Sequence, residues 1–137
     1  MPTATLTLTS ADIAGDPVNV SKTSTCYKAG TTAVLDQTGG LNSIILTTGS
    51  ANTILAFNAA GTNKAAKVYI KNNSTVSTEY ITITTHATVV GKLYAGPWLF
   101  MPWSMCDSDS VIKVTASGAG LSMPVEYMLM HEGWTFA

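Results

Sequence analysis

Two short stretches of strict alternation between apolar and polar residues constrain this chain more than anything else in it. In Lys67–Lys71, Val68 and Ile70 point one way and Lys67, Tyr69 and Lys71 the other; in Tyr80–Thr84, Ile81 and Ile83 oppose Tyr80, Thr82 and Thr84. A side-chain period of two means that each run is a strand with one buried face. The polar loop Asn72–Thr78 joins them, so the pair reads as an antiparallel hairpin. Nowhere do apolar residues recur at helical spacing long enough for a helix.

The rest of the chain repeats this pattern. Thr3–Thr9 alternates, with Ala4, Leu6 and Leu8 inward, and Val18–Lys28 is a weaker strand carrying Cys26 and Tyr27. Thr31–Gln37 follows, with Ala33 and Leu35 on one face. Asn42–Thr48 has Ile44, Ile45 and Leu46 in a row, which suggests cover on both faces. Thr53–Asn58, Thr88–Tyr94 and Val111–Ala116 come next. Met123–Met130 closes the set, with Val125, Tyr127 and Leu129 inward and Glu126, Met128 and Met130 outward. Turn signals fall at Gly15-Asp16-Pro17, Ala29-Gly30, Gly39-Gly40, Gly49-Ser50, Ala59–Lys64, Gly96-Pro97 and Asp107–Ser110. About nine strands at this spacing predict a single-domain antiparallel β-sandwich over residues 1–137, in a jelly-roll arrangement rather than an open meander. No fixed repeat period points to a propeller or solenoid.

Charge narrows the function classes. Charged residues are 11% of the chain, the net charge is −1, and all seven basic residues are lysines. Without arginine there are no bidentate forks for guanine or phosphate, so no nucleic-acid partner is expected, and no polybasic membrane contact. Serine and threonine make up about a quarter of the residues, against far lower ordinary usage. A hydroxyl-rich, nearly uncharged sheet surface offers little repulsion to packing against copies of itself. Met1–Ser10 has neither a positive n-region nor a long apolar core, so no secretory signal is expected. Cys26 and Cys106 match no metal spacing and read as two reduced thiols, with a disulfide as the alternative.

Reactive constellations are missing from the sequence. His86 has no acid nearby, and His131 and Glu132, as strand neighbours, point to opposite faces, so neither reads as catalytic. Asp107-Ser108-Asp109 lacks the remaining ligands of a calcium loop and reads as a turn. Gly118-Ala119-Gly120 has no phosphate-loop lysine. We therefore expect no enzyme activity, no cofactor and no metal. The informative residues are apolar ones placed where solvent is expected: Leu6 and Leu8, Trp98, Phe100 and Trp103, Met128 and Met130, and Trp134 and Phe136. Methionine and aromatic residues in such places mark contacts with a partner. A sugar-binding module would use Tyr94, Trp98 and Trp103 as stacking platforms instead.

The motifs KVYIKN (67–72), EYITI (79–83), KLYAGP (92–97), MP (101–102), VIKVTAS (111–117) and PVEYM (124–128) resemble those of small virion structural proteins of tailed bacteriophages. The likeness covers about half the chain, Lys67 to Met130, with Pro97 where a glutamate is usual. It implies a non-enzymatic β-sandwich on the virion, made in the host cytoplasm. The favoured place is the capsid surface, as a decoration (cement) protein that binds the major capsid protein between capsomers; a tail, baseplate or fibre component is the alternative. It further implies a homotrimer and an N-terminal arm over residues 1–12, a segment whose alternation otherwise reads as an ordinary strand. Residues 131–137 would form a C-terminal tail.

Overall fold

A computed structural model describes residues 3–13, 15–47, 49–56, 64–103 and 111–132. They form ten strands: β1 (Thr3–Ile13), β2 (Asp16–Thr25), β3 (Gln37–Leu46), β4 (Asn52–Leu55), β5 (Ala66–Asn72), β6 (Tyr80–Thr85), β7 (Thr88–Tyr94), β8 (Trp98–Pro102), β9 (Ile112–Ala116) and β10 (Met123–His131). Eight of them build two antiparallel four-stranded sheets, ordered β3-β10-β5-β8 and β4-β9-β6-β7. The sheets pack as a β-sandwich, and β1 and β2 form a separate two-stranded hairpin.

The alternation explains the packing. Val68 and Ile70 of β5 and Val125 of β10 meet Ile81 and Ile83 of β6 and Ile112 and Val114 of β9, all fully buried, with Leu46, Met123 and Trp103 closing the cluster. Each fully buried aliphatic side chain contributes about 1.5–3 kcal/mol, so this interdigitated layer dominates stability.

Alternation fixes which face is buried but not which strand is the neighbour. β5 and β6 are not a hairpin: β5 pairs with β10 and β8, and β6 pairs with β7 and β9. Both contribute inward faces to one core from opposite sides, and the loop between them crosses from sheet to sheet. Asn72 secures the crossing. It is fully buried, its Nδ2 donates to Leu93 O (3.0 Å), and its Oδ1 accepts from Ser74 N (3.0 Å). Ser74 Oγ in turn donates to the Glu79 carboxylate.

Other expectations need correction. Thr31–Gln37 is not a strand; Tyr27 and Val34 make an isolated bridge, with Cys26 and Leu35 buried beside it. Gly39-Gly40 does not end a strand but lies inside β3, where the register shifts and Gly40 takes φ +74°, the conformation a glycine bulge requires. β3 is an edge strand, so Ile45 stands 60% exposed rather than covered on both faces. The segment Trp98–Pro102, which is not among the strands the alternation predicts, is β8. Cys26 is a buried free thiol. Cys106, the expected turns at Ala59–Lys64 and Asp107–Ser110, and the tail from residue 133 lie wholly or almost wholly outside the described residues.

Candidate functional site

The register of the first sheet lines up its outward side chains in rows across all four strands. One row is Leu41 (β3), Met128 (β10), Tyr69 (β5) and Phe100 (β8); the next is Ser43, Glu126, Lys71 and Trp98. The first is an almost wholly apolar band on a face that should meet water. The Tyr69 hydroxyl is its polar exception and donates to Glu126 Oε1 of the adjoining row at 2.8 Å. Burial first, then the carboxylate's bond and charge, push the Tyr69 phenol up to about 12. Bonds from Tyr69 and Asn73 hold the Glu126 carboxyl below its usual range, against some desolvation, with Lys71 adding attraction.

The β1–β2 hairpin lies over this band. Its register gives it two unlike sides. Ala4, Leu6 and Leu8 face Ser24, Lys22 and Val20, while Thr3, Thr5, Thr7 and Thr9 face Thr25, Thr23, Ser21 and Asn19. The second side is entirely hydroxyl and amide, and Thr5 and Thr23 hydrogen-bond across it at 2.9 Å. Between the hairpin and the sheet is an open cleft of about 720 Å³. Thr3–Leu6, Lys22 and Ser24 form one wall; Tyr69, Lys71, Trp98, Phe100, Met128 and Met130 form the other.

Glu132, directly after β10, fastens the hairpin's root to the sandwich. Its buried Oε2 accepts from Ala29 N (2.7 Å) and Ala65 N (2.8 Å), and Lys64 Nζ stands 3.5 Å from Oε1. Burial would raise this carboxyl, but the two backbone N–H groups and Lys64 outweigh it and the net shift is downward. Nearby, Lys28 pairs with Asp36 at 2.6 Å.

Of the nine residues singled out by sequence, Leu6, Trp98, Phe100, Met128 and Met130 come together around the cleft. Leu8 lies further along the hairpin and is exposed. Neither leucine enters the sandwich core, contrary to the inward reading. Trp103 does not stand where solvent is expected: it is 6% exposed and belongs to the core. β8 explains this, because Leu99, Met101 and Trp103 share its inner parity while Trp98 and Phe100 point out. Trp134 and Phe136 lie outside the described residues. Sequence reading missed Leu41, Tyr69 and Glu132. The cross-strand partners of Met128, Leu41 and Tyr69, emerge only from the register.

Tyr94, Trp98 and Trp103 do not form a stacking platform. Trp103 is buried, and Tyr94 and Trp98 face outward from opposite sheets. Tyr94 instead packs on Tyr80 (5.1 Å between centroids), under which Lys92 makes a cation–π contact at 4.6 Å. His86 is exposed in the β6–β7 turn, and His131 Nδ1 lies 3.0 Å from Glu132 O. Among the described residues no three of His, Cys, Asp and Glu cluster as metal ligands. No protein-family model matches the chain, and no curated protein matches it in sequence.

Proposed function

We propose that this chain is a structural protein of a tailed-phage particle, a capsid decoration protein that binds the major capsid protein between capsomers and stabilises the shell. The observation that carries the reading is the amphipathic hairpin outside the sandwich, above an apolar sheet face. A lone two-stranded hairpin is marginal in water, so one of about ten residues per strand, with Leu6 and Leu8 exposed, is best accounted for by a surface it binds. Low charge and a hydroxyl-clad exterior suit life inside an assembly.

The strand order supports a jelly-roll reading of the sandwich. Apart from β6 and β7, consecutive strands from β3 to β10 alternate between the sheets, giving two interlocked four-stranded layers. Double-sheet jelly rolls recur in viral capsid proteins and lectins. The mechanism is mass action: a protein that binds only the assembled lattice stabilises that lattice, and many copies do so together. A homotrimer at three-fold positions is the oligomer that the phage likeness implies.

The test is co-sedimentation with undecorated capsids. Wild-type protein is expected to pellet with them, and Leu6→Lys/Leu8→Lys to remain in the supernatant with an unchanged melting temperature. Recovery with isolated tails instead would move the protein to the tail; indifference to both would end the reading.

A further inference from the structure

The sandwich has four edge strands, and they are not alike. β4 is four residues long with a register shift between Thr53 and Leu55. β7 carries Lys92 and a register shift opposite Ile83/Thr84. β8 is five residues long, with Pro97 before it and Pro102 at its end. Shortness, bulges, lysine and proline are the devices that keep sheet edges from pairing with other chains. β3 lacks most of them. It has ten residues and no charge, and Leu41–Leu46 pairs without interruption with Met123–Met128. Among the described residues its other side pairs with no strand. Leu41 and Ile45, 64% and 60% exposed, share its outward parity.

We infer that the free edge of β3 pairs antiparallel with β3 of a second copy of this chain, joining two four-stranded sheets into one of eight strands. The choice of a second copy rests on the strand's self-complementarity. Leu41 and Ile45 lie two residues either side of Ser43, so a two-fold axis at Ser43 sets Leu41 of each copy against Ile45 of the other. An isologous contact needs this symmetry, and a foreign strand does not. The absence of charge in β3 means two copies bring no like charges together. The pairing also carries the row Phe100–Tyr69–Met128–Leu41 directly into the partner's outer face.

The contact is two-fold and distinct from a three-fold trimer contact; if both form with perpendicular, intersecting axes, the closed species is a hexamer. It does not depend on the phage reading, and its test uses no capsid. Native mass spectrometry of the wild-type chain is expected to give dimers or hexamers. Directly opposed strand residues lie about 4.5–5.5 Å apart at Cα, within disulfide range, so Ser43→Cys should form a covalent dimer under mild oxidation that wild type does not. Adding Ile45→Lys should abolish the cross-link and leave a folded chain whose melting temperature no longer depends on its concentration, whereas Val89→Lys on the β7 edge should leave the cross-link intact. A monomer or trimer with no Ser43→Cys cross-link would overturn the inference. So would a dimer that survives Ile45→Lys, or a Ser43→Cys protein that cross-links only to a different protein.

Discussion

The two outer faces of the sandwich share one backbone plan and differ most in a single row of side chains. On the β4-β9-β6-β7 sheet the outward rows read Lys92, Thr82 and Thr115, then Val89, Thr84, Lys113 and Thr53. β-Branched threonines and solvated lysines are what a water-facing sheet requires. On the β3-β10-β5-β8 sheet the equivalent row is Leu41, Met128, Tyr69 and Phe100, half roofed by a hairpin. Both faces obey the same period of two, so the difference is not a folding requirement. That apolar row is the feature on which the proposed contact with a partner rests.

The largest effect should separate core from face within the second sheet. Trp103→Ala empties a buried site and should cost about 3–5 kcal/mol in urea unfolding. Trp98→Ala, at a side chain 47% exposed, should cost about 0.5 kcal/mol or less while weakening capsid binding. Equal stability losses would erase the distinction.

Next comes the fastening of the roof. Glu132→Ala leaves the Ala29 and Ala65 N–H groups unpaired and should cost about 2–4 kcal/mol, with faster amide exchange in the hairpin's root. Because the folded state lowers the Glu132 carboxyl, its contribution is present above the unfolded carboxylate range and lost as pH falls through the folded value. Glu132→Gln should flatten that acid limb of a stability–pH curve.

Tyr69→Phe should cost about 1 kcal/mol near neutral pH. The raised phenol makes a contribution that is present below about pH 10 and lost as pH rises toward 12. The variant should therefore lose less stability than wild type over that interval. Smaller changes belong to the polar sheet. The β6–β7 turn holds His86 and Ala87 at φ 52° and 55°, so Ala87→Gly should stabilise by about 0.5–1 kcal/mol in thermal melts. Thr82→Val should stay within about 0.5 kcal/mol and leave binding unchanged.

The chain shows in its sequence what alternation can encode and hides what it cannot. The inward sets Val68/Ile70, Ile81/Ile83 and Val125/Tyr127/Leu129 were legible because burial of one strand face is a local property. Partnership is not local. The alternation of β5 and β6 fits a hairpin as well as two facing sheets, and only Asn72, a polar residue on the inward parity of Val68 and Ile70, hinted at the crossing. Trp103 looks solvent-placed in the sequence because Pro97 and Pro102 mask the alternation of β8. Five candidate contact residues line the cleft because strand parity sets Trp98, Phe100, Met128 and Met130 on one sheet face, opposite Leu6 of the hairpin. Glu132 was invisible because its partners are backbone groups 67 and 103 residues away.

Hydrogen exchange on the protein free and capsid-bound tests the central claim most directly. The account requires new protection in β1 and β2 and along β5, β8 and β10, with β6, β7 and β9 exchanging as before. Protection confined to the threonine–lysine face, or none on either, would contradict it.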